Sequence, residues 1–216
     1  MQMNMAILTL VCFAVKEEAR FFDRMAAGRP QVRILLTGMG PRNAERSVRT
    51  AVAQERPGLV LSCGFAGGLN PGLTTGTILY SADDGLNLAD GLRAAGARLG
   101  RFYSATRVAV TADEKRKLRK ATGADAVEME SQVIRAICRE QSIPSATVRV
   151  ILDPVGEDLP LDFNELMTPD QRLSHRKMAL ALMRSPSKLG GLLRLQKQNE
   201  AAAQRLADVL ARVVLV

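Results

Sequence analysis

The stretch Leu59-Val-Leu-Ser-Cys-Gly-Phe-Ala-Gly-Gly-Leu69 joins a short apolar run to three glycines. The run Leu59–Ser62 lacks the alternation of a half-exposed strand, so it predicts a strand that is buried on both faces. In open α/β sheets, ligands lie across the carboxyl ends of such strands, where side chains would obstruct them. The glycines therefore predict either a ligand-binding edge or a tight turn with a bulge.

Strand-like and helix-like segments alternate along the chain as far as Asp153. This alternation predicts an α/β fold with a single domain over residues 1–216. The expected architecture is a three-layer α/β/α sandwich with a central mixed, mostly parallel twisted sheet. The predicted strands are Ala6–Val15, Val32–Thr37, Leu59–Ser62, Gly76–Ser81, Ala105–Val110 and Ala146–Leu152, and the predicted helices are Glu17–Ala27, Pro41–Gln54, Ala112–Thr122 and Glu128–Gln141.

The sequence changes character after Pro154. Residues 1–154 form the predicted core with the candidate site motifs, and residues 155–216 a lid loop and basic helices, from Arg172 to Met183 and from Leu189 to the end. From Gln171 to Val216, nine Lys and Arg residues oppose two acidic residues, and the whole chain has a net charge of +8. This basic end predicts either a solvated helix face or contact with an anionic membrane surface.

Composition excludes several functional classes. Aromatic residues make up 4% of the chain and Trp is absent, so no base-stacking platform and no nucleic-acid partner are expected. Three cysteines stand far apart without CxxC spacing, which disfavours disulfides and zinc and favours the cytoplasm. Neither a metal nor another cofactor is expected. The run Ala6–Val15 has no Lys or Arg before it and Lys16-Glu17-Glu18 after it, so it predicts a strand rather than a signal peptide.

Three further segments carry candidate site chemistry. Thr37–Ala44 places glycines, including Gly40, between a strand and a helix, where free backbone N–H groups bind ligands or simply form a turn. Ala126–Ser131 places Glu128 and Glu130 two residues apart at the predicted start of a helix. One of them would face a site and the other an internal partner, or both would serve only as partners of the helix dipole. Asp153 ends a predicted buried strand, a position that favours ligand binding or, before a proline, a turn.

Together these four segments resemble the nucleoside phosphorylase and nucleosidase superfamily, which includes methylthioadenosine/S-adenosylhomocysteine nucleosidase. The family's motifs occur in the same order here, and the match spans most of residues 6 to 154. They read Gly38–Gly40, Gly64–Leu69, Val127–Ser131 and Arg149–Asp153.

The resemblance implies a role for each matching residue. Asp153 would protonate purine N7, so that the base leaves as a neutral group, and Arg149 would support it. Glu130 and the Met129 backbone would hold the ribose hydroxyls, with Glu128 beside them. The segment Ala14–Ala19 resembles the first loop of the nucleosidases and assigns to Glu18 the activation of the attacking water. The other substrate-binding positions it implies are Gly40, Phe65, Ala66, Gly67, and the base-facing Val108 and Ala109.

The C-terminal third resembles one subgroup, the hopanoid-associated phosphorylase-like proteins, thought to remove adenine from adenosylhopane. The cues include Met39–Ala44, Thr111–Lys115 and Met183–Pro186. The resemblance implies a lipid-linked purine nucleoside as substrate, peripheral contact with the inner membrane surface, and a homo-oligomer of two or more copies. Leucines and methionines of the basic helices would either line a lipid-accepting mouth or pack on the sheet. They are Leu180, Leu182, Met183, Leu189, Leu192, Leu193 and Leu195.

Three alternatives to this adenosylhopane-like nucleosidase stay open. One is a phosphate-dependent purine nucleoside phosphorylase, a pentosyltransferase that would yield ribose 1-phosphate. Another is a methylthioadenosine/S-adenosylhomocysteine nucleosidase. The last is a protein that keeps the fold and a nucleoside pocket without turnover, against which the intact Glu18, Glu130 and Asp153 argue.

Overall fold

Eight strands form one mixed sheet in the described residues 7–168, 170 and 174–215 of the computed structural model. The core order is β2-β1-β3-β8-β4-β5, with β1, β2, β3 and β8 parallel and β4 antiparallel to β8. The strands are β1 Thr9–Phe13, β2 Val32–Leu36, β3 Leu59–Gly68, β4 Ile78–Ala82, β5 Arg98–Leu99, β6 Phe102–Ser104, β7 Ala126–Glu128 and β8 Ser145–Asp153.

Helices cover both faces of this sheet. They are α1 Lys16–Ala26, α2 Pro41–Gln54, α3 Leu88–Ala94, α4 Ala112–Thr122, α5 Ser131–Glu140, α6 Phe163–Leu166, α7 His175–Arg184 and α8 Leu189–Val214. Because side chains alternate along a strand, Val11 and Phe13 of β1 pack toward α1, α3 and α8, while Leu10 and Cys12 pack toward α2 and α5. The predicted three-layer α/β/α fold is confirmed.

The long strand β3 carries the glycine stretch within it. The glycines do not follow the strand, as predicted, but continue it to Gly68, where β3 pairs with β7. A bulge between Ala66 and Gly67 shifts the register with β8, so that Gly64 lies opposite Arg149 and Gly67 opposite Asp153. Two of the four sequence motifs are thereby neighbours across one pair of strands.

One predicted strand is wrong. Ala105–Val110 is irregular, and the strand of this region is β6, just before it. The reason lies in the hydrogen bonds: both backbone groups of Val108 bond to Asn164, and the Val110 N–H bonds to the Glu114 side chain. Backbone groups bonded in this way are not available to a sheet ladder.

Other boundaries move for similar reasons. The helix predicted from Glu128 begins at Ser131, because Glu128 is the last residue of β7. Strand β2 is only half-buried, since it pairs with β1 alone at the edge of the sheet. The predicted helices Pro41–Gln54 and Ala112–Thr122 have the observed bounds. Ala6 and Arg172, where a predicted strand and helix begin, lie outside the described residues.

The helix α8 changes character along its length. Its C-terminal half buries Ala202, Leu206 and Leu210 in the core beside α1 and the sheet, whereas Leu189 and Leu193 in its first turns are exposed.

The N-cap of α7 is Ser174, whose hydroxyl accepts from the Lys177 N–H. None of the described helices is long and apolar enough to cross a membrane.

We expect Leu206→Ala to lower the free energy of unfolding by about 2–5 kcal/mol, because it leaves a cavity in a packed core. The matched control is Leu193→Ala on the same helix, where the side chain is 54% exposed against 0% for Leu206. That control should change stability by less than about 0.5 kcal/mol. Urea unfolding of both variants measures the difference, and equal effects would contradict the core role of α8.

Candidate active site

A fully buried arginine organises the site. Arg149 of β8 donates from Nη1 to the Cys63 carbonyl at 3.0 Å and from Nη2 to Ser62 Oγ at 3.1 Å. Its Nη2 also lies 2.7 Å from Glu128 Oε2 and 3.4 Å from Glu130 Oε2. A guanidinium is stable in a buried place only with such partners, so these contacts fix both glutamates relative to the sheet.

The two glutamates of the Ala126–Ser131 motif have different surroundings. Glu128 accepts from the Glu130 and Ser131 N–H groups at 2.9 and 2.7 Å and from the hydroxyls of Ser131 and Ser104. Burial works against its ionisation, yet Arg149 and these donors hold the pKa of Glu128 below its usual value. Its oxygens are occupied by internal partners, so Glu128 positions Arg149 and the start of α5.

Glu130, by contrast, has few partners. Its Oε1 accepts from the Gly40 N–H at 2.8 Å, which joins the Thr37–Ala44 turn to the site. Burial raises the pKa of Glu130 to about 7, and the negative charges of Glu128 and Glu18 add to this rise against the opposing effect of Arg149. Glu130 is therefore the member of the pair that has capacity left for a ligand.

Glu18 approaches the same arginine from the first turn of α1. Its Oε2 accepts from the Ala14 and Val15 N–H groups at 2.9 and 3.3 Å, and its Oε1 accepts from the Phe65 N–H at 2.8 Å. Burial raises the pKa of Glu18, although Arg149 and the three backbone donors oppose the rise. A buried carboxylate of raised pKa is a stronger base than an exposed one.

The close approach of Glu18 and Arg149 depends on a glycine. A Cβ atom added at Gly64 would lie 2.5 Å from Arg149 Nη1 and 2.6 Å from Glu18 Oε1. The Gly64 φ of +148° is also one that residues with side chains rarely adopt. The sequence predicted either a ligand-binding edge or a tight turn for this stretch. At Gly64 the glycine has a different role, because it leaves room for the side chains of Arg149 and Glu18.

Asp153 stands at the end of β8, next to Gly67 on β3. It is buried and forms an ion pair through Oδ2 with the ammonium of Lys115, a side chain that is itself fully buried. Burial raises the pKa of Asp153 to about 6, against the lowering effect of Lys115. A carboxyl group with such a pKa is protonated in part of the population near neutral pH and serves as an acid.

A cavity of about 280 Å³ opens beside Asp153. The loop after β8 forms one wall and the first turns of α8 the other, and Arg194 pairs with Glu157 across them at 3.3 Å. This volume is near the lower end of the range of about 300–1,000 Å³ for small-molecule pockets. The lining residues are Asp153, Glu157, Asp158, Leu159, Pro160, Gly191, Arg194, Leu195 and Gln198.

The remaining predicted positions are more scattered. The N–H and C=O of Val108 are both taken by the amide of Asn164, at 2.9 and 3.0 Å. Ala66 and Ala109 are buried in separate apolar clusters, and Met129 is half-buried between the two glutamates. Hydrogen bonds and ion pairs join Arg149 to Glu128 and Glu130, Glu130 to Gly40, and Glu18 to Phe65, while strand pairing places Gly67 beside Asp153.

Sequence reasoning missed Lys115 and Asn164. A signal for Lys115 was present, since it follows the apolar Ala112 by three residues in the predicted helix and so shares a face with it. For Asn164 the sequence had none, because its partner Val108 is far away along the chain. Among the described residues, no group of three or more His, Cys, Asp or Glu side chains is arranged to hold a metal ion.

Comparison with known protein families identifies the superfamily of the chain. The family model of the phosphorylase superfamily matches residues 10–94 and 82–184. The chain belongs to the phosphorylase superfamily. The predicted membership of the nucleoside phosphorylase and nucleosidase superfamily, a superfamily of enzymes that act on N-glycosidic bonds, is confirmed. A comparison with curated proteins finds no match.

Solved structures of superfamily members share the fold at low sequence identity. Futalosine hydrolase of Helicobacter pylori strain 26695 is 14% identical, with a TM-score of 0.74 and 98% of each chain covered. The 5′-methylthioadenosine/S-adenosylhomocysteine nucleosidase of Neisseria meningitidis, in complex with methylthio-immucillin-A, is 17% identical, with a TM-score of 0.69 and 96% of this chain and 98% of that chain covered. The corresponding enzyme of Colwellia psychrerythraea, in complex with adenine, is 16% identical, with a TM-score of 0.67 and 97% and 96% covered.

We expect Gly64→Ala to lower the free energy of unfolding more than an ordinary glycine replacement does. The matched control is Gly76→Ala, where φ is +84° but no atom lies within 4 Å of the added Cβ. Both variants carry backbone strain, and only Gly64→Ala adds a clash, worth about 1–3 kcal/mol. Urea unfolding gives the two free energies, and equal losses would mean that Arg149 and Glu18 can move aside.

Proposed function

We propose that this protein is a nucleosidase that hydrolyses the N-glycosidic bond of a 5′-substituted purine nucleoside. One observation carries the proposal: buried carboxyl groups of raised pKa, Asp153 and Glu18, flank the same glycine stretch of β3. Hydrolysis of this bond needs an acid for the leaving base and a base for water, and two carboxyl groups can supply both.

The proposed reaction uses each group once. Asp153 gives its proton to purine N7 as the C1′–N9 bond breaks, and the electron pair of that bond leaves with the base. Glu18 accepts a proton from water while the water oxygen bonds to C1′. Glu130 holds the ribose hydroxyls, and its negative charge stabilises the cationic ribosyl group of the transition state. The products are the free base and the 5′-substituted ribose.

The charges around Glu18 favour water over phosphate as the nucleophile. Arg149, the buried cation at this place, already contacts Glu128 and Glu130. A phosphate dianion would therefore meet three carboxylates and one neutralised guanidinium, and like charges in a buried site repel strongly. Water carries no charge and meets no such barrier.

A purine is the proposed base because Asp153 matches the acid that the superfamily resemblance assigns to purine N7. The Neisseria meningitidis relative binds methylthio-immucillin-A and the Colwellia psychrerythraea relative binds adenine. The finer part of the proposal is a lipid-linked nucleoside similar to adenosylhopane, and a methylthioadenosine/S-adenosylhomocysteine substrate is the second candidate. The exposed apolar side chains of α7 and α8 favour the lipid-linked substrate.

The lipid proposal rests on exposed apolar side chains of α7 and α8. Leu180, Met183, Leu189 and Leu193 are exposed, so the alternative that they pack on the sheet is wrong for these four, whereas Leu195 is buried. Leu192 is half-buried, and the side chain of Leu182 lies outside the described residues. Exposed apolar side chains beside the exposed cations Arg176, Lys188 and Lys197 suit the surface of an anionic bilayer.

Base release tests the function directly. The protein is incubated with adenosine, methylthioadenosine, S-adenosylhomocysteine and adenosylhopane, each with and without phosphate. We expect free base and free ribose product in the absence of phosphate, fastest with adenosylhopane. A phosphate requirement would make the protein a phosphorylase, and absence of turnover with every nucleoside would favour a non-catalytic binding protein.

We expect Asp153→Asn to abolish base release while the fold is retained, because an amide has no proton to give to N7. In the wild type, kcat/KM should fall as the pH rises through about 6, since Asp153 then loses its proton. Asp90→Asn on the exposed side of α3 is the control for the same chemical change. Near-normal turnover by Asp153→Asn would remove this carboxyl from the mechanism.

For the membrane contact, we expect co-sedimentation with anionic vesicles at low salt and release at high salt. Replacement of Lys188 and Lys197 by Ala should weaken binding by about 2 kcal/mol, or roughly thirty-fold, since each cation near an anionic bilayer contributes about 1 kcal/mol. Lys120→Ala on α4 serves as the control. A protein that stays in the supernatant with anionic vesicles would refute this contact.

A further inference from the structure

Lys115 is a buried cation of the site to which the sequence motifs assigned no role. It lies on the inner face of α4 and is 0% exposed, whereas Lys117 on the same helix is 77% exposed. An unpaired ammonium would be very costly in such a place. Its three N–H donors have three acceptors: the Pro154 carbonyl at 3.1 Å, the Glu157 carbonyl at 2.7 Å and Asp153 Oδ2.

Two of these acceptors belong to the loop after β8, and the third is the candidate acid. If Lys115 served only to hold this loop, backbone carbonyl groups would be sufficient acceptors for its ammonium group. The contact with Asp153 instead occupies one of two carboxyl oxygens. A proton on that carboxyl must then sit on the other oxygen, Oδ1, because Oδ2 faces an ammonium.

We propose that Lys115 is a positioning residue for Asp153, which confines the transferable proton to Oδ1 and stabilises the carboxylate that remains when the proton has moved to the base. This inference rests on the proposed function. The proton leaves Asp153 Oδ1 for the nitrogen of the leaving base, and the charge left on the carboxylate is paired with the ammonium. No other reactant takes part.

The other charged groups that face Asp153 oppose Lys115 or are paired elsewhere. The Glu157 carboxylate, from the loop after β8, raises the pKa of Asp153, and Arg194 of α8 pairs with Glu157. Asp158 lines the same cavity, and its Oδ1 accepts from the Ala112 N–H at the start of α4. Strand β3 places Gly67, which has no side chain, against the carboxyl group. Among the described residues, Lys115 is the cation in contact with Asp153.

The proposal is tested with Lys115→Met, which removes the cation and keeps an unbranched side chain. Loss of an opposite charge at this distance should raise the pKa of Asp153 by about 1–3 units. The decline of kcat/KM on the alkaline side should move upward by the same amount, while kcat at the optimum falls by at least tenfold and KM changes little. Lys117→Met, on the exposed face of α4, should leave the whole pH profile unchanged.

An unshifted decline in the Lys115→Met variant, with only lower activity, would overturn the proposal and leave Lys115 a loop anchor. If that variant does not fold, Lys115→Gln keeps an N–H donor without the charge and is judged by the same shift. A measurement without turnover separates this inference from the proposed function. The Nζ resonance of Lys115 in the intact protein should show a titration step near pH 6 that is absent in Asp153→Asn. A wild-type resonance without this step would refute the coupling even if base release were found.

Discussion

The buried guanidinium of Arg149 is the interaction on which the rest of the site depends. Three segments far apart in the sequence meet around it: the first turn of α1 through Glu18, the glycine strand β3 through Ser62 and Cys63, and the junction of β7 and α5 through Glu128 and Glu130. A buried charge that loses one partner is left uncompensated, at a cost of several kcal/mol. The folded state therefore keeps Glu128 and Glu130 close to Arg149. The contacts that pair this buried charge are also the contacts that build the candidate site.

The four buried carboxyl groups differ because their surroundings differ. Glu128 has a cation and several donors and stays ionised, whereas Glu130, with fewer donors and two like charges nearby, has a pKa of about 7. Asp153 belongs to a second, separate ion pair with Lys115. Two buried cations thus divide the carboxyl groups into a set of three around Arg149 and a single group beside Lys115. Environments that set neighbouring carboxyl groups apart in this way are how one site holds an acid and a base together.

The sequence predicted the features that short-range patterns encode. The alternation of strand-like and helix-like segments predicted the α/β fold, and the motifs singled out Glu128 and Glu130, which contact Arg149, and Asp153 at the end of the same strand. Patterns of this kind do not record partners distant in the chain. Ala105–Val110 looks like a strand because it is apolar, yet Asn164 and Glu114 take its backbone groups. Glu128 looks like its neighbour Glu130, and only the hydroxyls of Ser104 and Ser131 show that its role is internal. The buried lysine was overlooked because lysines on amphipathic helices usually face water.

The helix α8 connects the core to the cavity. Its C-terminal half is fixed by the burial of Leu206 and Leu210 against the sheet, and its first turns form a wall of the cavity beside Asp153. A helix is stiff over this length, so the packing of one end sets the position of the other. Gly191 lets the helix approach the loop after β8, since a Cβ atom there would lie 3.0 Å from Pro160 Cβ. The exposed Leu189 and Leu193 of the same turns lie on another face of α8, rotated by about 100° or more from the core-facing Leu206, and they do not line the cavity. One helix thus carries a wall of the cavity on one face and exposed apolar side chains on another, and the burial of its C-terminal half in the core sets the position of both.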